Sequence, residues 1–123
     1  MATRRPLGFS DAIAVSRTPS SLAPPPTKMA PGAIQGLPQP DAIFIGGGAS
    51  DDGVLDIAIA SLKPGGRLVA NAVTLETEAL LIARHASLGG ELTRIAISRA
   101  SPVGEKSGWR SAMPVTQWVW TKP

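Results

Sequence analysis

The chain has 123 residues, 43% of them hydrophobic, and a formal net charge of +3, which bounds it to one domain with a modest core. With no cysteine and a single histidine, it has neither disulfide staples nor the ligands for a thiolate or histidine metal cluster, so no metal is expected. Its apolar runs fall short of the roughly 20 residues of a membrane span, and its start lacks the apolar stretch of a signal peptide. A soluble, cytoplasmic protein with no membrane partner is the expectation.

Residues 1–40 carry Arg4, Arg5, Arg17 and Lys28 against Asp11, which accounts for the whole +3, whereas residues 41–123 carry eight bases and eight acids. Those four bases are scattered, without aromatic interleaving or a basic helix face, so no nucleic-acid partner is expected. Residues 1–28 hold five prolines, three of them consecutive at Pro24, Pro25 and Pro26, and only the fragment DAIAV has the look of an element. The segment reads as a disordered or aberrant arm, and residues 29–123 as the domain. The connector APGAIQGLPQP over 30–40 has room for one helical turn at Ala33 and Ile34 before Pro38 and Pro40 force an extended chain.

Residues 41–71 read as one strand, helix, strand unit. The apolar run 42–45 is stopped by Gly46, Gly47 and Gly48, as in a buried parallel strand. Ser50, Asp51 or Asp52 is expected to cap the helix that follows, whose Val54, Leu55, Ala58, Ile59 and Leu62 recur at helical spacing. Pro64, Gly65 and Gly66 end it, and 67–71 begins a second strand. Such crossovers are right-handed, so the two strands run parallel and the glycine turn opens at their carboxyl edge, where open α/β sheets bind ligands.

Thr74 is the expected N-cap of a second helix, with Glu76 and Glu78 in its first turn and a stop at Gly89 and Gly90. Leu75, Ala79, Ile82, Ala83 and Ala86 line one face of it. A strand over ELTRIAISRA, a polar loop SPVGEKSGWRSAMP and a strand over VTQWVWT follow, and the loop is too short for a crossover, so these last strands should pair antiparallel. The expected fold is α/β: parallel strands with crossover helices and a C-terminal antiparallel β-hairpin.

This order, with LKPGGRLV ahead of the second strand, resembles the carboxyl half of a class I methyltransferase with a Rossmann-like sheet. PDAIFIGGG, LKPGGRLVANAVTLET and SAMPVTQWVWTKP, in that order, resemble the decarboxylating precorrin methyltransferases of cobalamin biosynthesis over residues 30–123. The resemblance implies C-methylation of a precorrin at C15 with loss of carboxylate from an acetate side chain. It also implies S-adenosylmethionine as methyl donor, the precorrin as substrate and a homo-oligomer. Such a domain opens with a GxGxG-type loop and a strand-end acid for the ribose, and residues 1–40 show neither, so the sequence suggests a truncated or frame-shifted product lacking the cofactor-binding half. The alternatives are the half-fold of another class I methyltransferase and a non-catalytic assembly module.

The candidate cofactor contacts are Gly46, Gly47 and Gly48, where close approach needs no side chain, and Ala30, which resembles the end of a segment touching the adenine side in the family. Asn71, ending the second strand on the same edge, is a candidate for hydrogen bonding to substrate. Arg99 and Arg110, beside the hairpin loop, are candidate forks for the precorrin's carboxylates. No residue is assigned as catalytic. Alignment and exclusion of water suffice for so activated a donor. His85, Asp41, Glu76 and Glu78 read as structural, and Trp118 and Trp120 as one strand face serving as core or subunit contact.

Overall fold

The computed structural model describes residues 13–16, 27–29, 38–47, 49 and 53–123. Ala30, Gly48 and the expected caps Ser50, Asp51 and Asp52 lie outside these, as does the turn expected at Ala33 and Ile34.

Strand β3 (Ala42–Ile45), helix α1 (Val54–Ser61) and strand β4 (Arg67–Ala72) form the expected unit, with β3 and β4 parallel and Ile43 level with Leu68. Helix α1 starts on Gly53, at φ 66° and without a side-chain cap; Asp56 in the first turn complements the helix dipole instead. The far end of α1 is closed from the end of the chain. The Lys122 ammonium donates to the carbonyls of Ile59 at 2.8 Å and Leu62 at 2.9 Å, acceptors that a helix terminus leaves without partners.

Helix α2 (Leu75–Leu88) is capped by Thr74, whose hydroxyl accepts from the Thr77 amide at 3.2 Å, and it ends at Gly89 as expected. Its orientation differs from the apolar stripe in the sequence. Thr77 and Leu81 are buried, whereas Leu75, Ala79, Ile82, Ala83 and Ala86 face outward. Both sides of this helix are apolar, and its anchors decide which side turns inward. Besides the Thr74 cap, the Glu78 carboxylate is tied to Thr116 of strand β8 (Val115–Thr121) and to Arg94 of strand β5 (Glu91–Ile95).

Strand β8 inserts between β4 and β5, antiparallel to both, which bears out the antiparallel pairing of the last strands and adds a β4–β8 seam. Ile43 and Ile45, Leu68 and Ala70, and Trp118 and Trp120 share one sheet face under α1 and α2 and form the core. Trp118 and Trp120 stack at 5.8 Å, and the Trp118 indole donates to the Gly89 carbonyl at 2.9 Å. The two rings are therefore core rather than subunit contact.

Two segments in or beside the stretch read as an arm, β1 (Ile13–Ser16) and β2 (Thr27–Met29), are strands. They extend the sheet to the order β2-β1-β3-β4-β8-β5, with β1 antiparallel on the outer edge of β3. The unpaired N–H and C=O groups of an edge strand are the template that β1 satisfies.

The expected polar loop is a second sheet. Strands β6 (Ser98–Val103) and β7 (Lys106–Ser111) pair antiparallel around a two-residue turn with Gly104 at φ 61°, a first central position that suits glycine. The expected single strand over 91–100 is broken after Ile95, so Arg99 belongs to this hairpin and not to the main sheet. An Ala112 amide to Ile97 carbonyl bond of 2.9 Å closes the hairpin's base.

Candidate functional site

The carboxyl edge of the sheet gathers the candidates. Strands β3, β4 and β5 all point their carboxyl ends to it, and β8, running the other way, brings its amino end there. Gly46 and Gly47 follow β3, Asn71 lies one residue from the end of β4, and the hairpin springs from the end of β5. From β3 to β5 is three strand spacings, about 14 Å.

Gly46 is exposed, and a Cβ built on it would meet only the Phe44 ring, at 3.5 Å, an ordinary contact. The fold itself makes no demand for glycine there. A bare backbone at a strand's carboxyl end fits a surface kept clear for a ligand.

Asn71 is half-buried on the sheet face away from the helices, and its side-chain oxygen accepts from the Gln117 amide at 3.0 Å. Gln117 was missed from sequence; its signal is the alternation of β8, which puts it level with Asn71 once β4 and β8 are paired. On the opposite face, Thr116 donates to Glu78 at 2.7 Å and Arg94 at 2.9 Å. The Thr116 bond first, then Arg94, holds the Glu78 carboxyl below its ordinary range. This cluster ties α2 to the sheet beside the candidate edge, a larger role than the helix-start function read from sequence.

Arg99 and Arg110 sit directly opposite one another across the hairpin, one pair above its base. Both are exposed, and no ion pair among the described residues engages either. With Ala100, Ser101, Ser111 and Ala112 they line a shallow cavity of about 330 Å³. His85 lies half-buried in the last turn of α2, and Asp41 pairs with Lys63 at 3.3 Å at the opposite edge of the sheet. No group of acids and histidines suited to a metal occurs among the described residues.

A mixed sheet with a helix-crossed parallel pair, an antiparallel final strand and glycines at the carboxyl edge defines an α/β fold of the kind that takes ligands at that edge. The comparisons narrow this class. The chain belongs to the precorrin methyltransferase domain family, whose model matches residues 17–122. It is 67% identical over 93 residues to a Sinorhizobium precorrin-6Y C(5,15)-methyltransferase [decarboxylating], covering 76% of this chain and 22% of the relative. The Mycobacterium tuberculosis protein of the same name is 47% identical over 93 residues, with 24% of it covered. Among solved structures, the C-terminal domain of precorrin-6Y C5,15-methyltransferase from Rhodobacter capsulatus superposes with a TM-score of 0.70 at 48% identity, over 76% of this chain and 50% of that one. The chain thus spans under a quarter of the length of these curated relatives and half that of the solved domain.

Proposed function

We propose that this chain supplies the substrate-facing half of a site that methylates a precorrin at C15 with loss of carboxylate from an acetate side chain, using S-adenosylmethionine. The observation that supports this reading is that, in a chain of the precorrin methyltransferase domain family, β3 ends in glycines, β4 carries an oriented amide near its end, and the hairpin after β5 carries two guanidiniums with no ion pair among the described residues. When bound, S-adenosylmethionine supplies a methyl group on a sulfonium, an activated donor. Gly46 and Gly47 with Gly48 and Ala30 give it backbone approach. Asn71, its oxygen already engaged by Gln117, presents its N–H groups to the substrate. Arg99 and Arg110 take carboxylates of the macrocycle, fixing which carbon faces the methyl group. No side chain is needed as a strong acid or base.

Support for a homo-oligomer comes from the hairpin, where Val103, Trp109 and nearby Met113 are large apolar residues left exposed. Sedimentation at tens of micromolar tests this, with a monomer as the contrary result.

The functional test is transfer of labelled methyl from S-adenosylmethionine to a precorrin, with release of carbon dioxide. It is run on the 123-residue chain and on the chain joined behind the amino-terminal half of a family domain. Methylation by the joined protein, lost on Arg99→Ala/Arg110→Ala, supports the reading. A joined protein that binds S-adenosylmethionine and leaves precorrin unmethylated overturns it.

A further inference from the structure

The hairpin of β6 and β7 has two different faces. Directly opposite residues share a face, so Arg99, Arg110 and Ser101 lie on one side and Ala100, Trp109 and Pro102 on the other. Among the described residues, strand pairing joins β6 to β7 alone, in a sheet separate from the main one. A two-stranded hairpin without a third strand or a helix beneath it is marginally stable in water. Like charges directly opposite one another weaken it further. Yet two guanidiniums occupy one cross-strand pair, with no acid answering them among the described residues.

The hairpin's acid, Glu105, is at the turn between Gly104 and Lys106, while the arginine pair is near the base. Between them, Gly108 is bare because a Cβ there would come within 2.9 Å of the Val103 side chain. The arginine side of the hairpin therefore runs from the Arg99–Arg110 pair at the 330 Å³ cavity, past Ser101 and the bare Gly108, to Val103 and Lys106 at the turn.

We infer that Arg99 and Arg110 form a cross-strand clamp for carboxylates of a polyacidic tetrapyrrole, and that filling the clamp is what orders the hairpin. This rests on the precorrin reading above and adds a conformational step to it. A bound carboxylate turns the like-charge pair from a repulsion across the two strands into a bridge between them. Two planar forks are needed, because a guanidinium donates two parallel N–H bonds to a carboxylate and an ammonium does not. Ligands with more acid groups bind more tightly and hold the hairpin closed for longer. A macrocycle with few acid groups leaves it loose.

The test uses the full chain and uroporphyrin, an eight-carboxylate tetrapyrrole, with mesoporphyrin, a two-carboxylate one, as the contrast. Amide exchange across 98–111 and the Trp109 indole N–H resonance are followed by NMR. Trp118, whose indole is bonded to Gly89, is the internal reference. Saturating uroporphyrin is expected to slow hairpin exchange at least tenfold and shift the Trp109 signal, with little change at Trp118. Mesoporphyrin is expected to produce under a third of that slowing. Arg110→Thr has two opposite effects. Without ligand it slows hairpin exchange about two- to five-fold by relieving the like-charge pair. With uroporphyrin it weakens binding at least tenfold, and Arg110→Lys recovers only part of the loss. A merely structural arginine would not move these two readouts in opposite directions.

Equal slowing by both porphyrins overturns the clamp, as does uroporphyrin binding unchanged in Arg99→Thr/Arg110→Thr. Hairpin exchange that is already slow without ligand and follows protein concentration overturns the ordering step in favour of a second copy of the chain. Methyl transfer is not measured here. A clamp that holds while the methylation test fails leaves this inference standing, and methylation with an empty clamp removes it.

Discussion

The β4–β8 seam and the β6–β7 hairpin are both antiparallel pairings of six registered residue pairs, yet they are built for opposite purposes. In the seam, Leu68, Ala70, Trp118 and Trp120 are buried beneath two helices. In the hairpin nothing is fully buried, and Trp109 keeps 78% of its surface. Backbone pairing is the same in both, so the difference lies in what the side chains exclude from water. The seam holds the carboxyl edge in place, and the hairpin carries the arginine pair out from that edge on a support with little stability of its own.

Substitutions at the seam test this contrast most severely. Trp118→Ala removes a fully buried ring and its indole bond to Gly89 and opens a cavity between β8 and α2, which costs about 3–5 kcal/mol. Urea unfolding followed by far-UV circular dichroism should show little or no folded baseline. Next comes Gly90→Ala. The residue sits at φ 90°, and a Cβ would fall 2.4 Å from the Val119 carbonyl and 3.0 Å from the Trp118 indole nitrogen. Strained backbone plus that contact costs about 2 kcal/mol or more, read as a lowered urea midpoint at unchanged slope.

Local signals made much of the seam's surroundings legible. A short apolar run stopped by glycines gave β3, Thr74 gave the start of α2, and Gly89 gave its end, since each acts through neighbours in sequence. The position of β8 between β4 and β5 was not legible, because strand order depends on contacts some 46 residues apart, such as Asn71 with Gln117. The inward face of α2 was hidden because both its sides are apolar, and a hydroxyl cap and the Glu78 anchor choose between them. The candidates Gly46, Gly47, Asn71 and the two arginines come from the sequence, which already places them near strand ends. The direct opposition of Arg99 and Arg110 was not legible, because 101–114 looks like a polar loop after a strand over 91–100 until Gly104 and Glu105 are recognised as a two-residue turn.

Two smaller effects probe how far the seam's order extends. Lys122→Met removes the donor that closes α1 while keeping most of the apolar stem, and is expected to cost about 1 kcal/mol in thermal unfolding. Glu78 affects the pH dependence. Its folded-state pKa is lowered, so its contribution is present above the unfolded carboxylate range and is lost as pH falls through the lowered folded value. Stability measured from neutral to acid pH should therefore fall less steeply in Glu78→Gln than in the parent, with the difference confined to the acid limb.

The smallest expected effect is at the hairpin, and its smallness is what gives it force. Trp109→Ser removes a ring as large as that of Trp118, but one that is 78% exposed and lies on a strand that, among the described residues, pairs only with its hairpin neighbour. With almost no area to return to water, the change in unfolding free energy should stay within about 0.5 kcal/mol, as for surface positions generally. Thermal unfolding at low micromolar and at hundreds of micromolar chain separates the two ways this can fail. A loss near that of Trp118→Ala at both concentrations would mean that the hairpin packs on its own domain and is as much a part of the core as the seam. A loss that appears only at the higher concentration would instead place Trp109 in a contact between copies. The hairpin's apolar face would then serve assembly, and its arginine face would remain open to ligand.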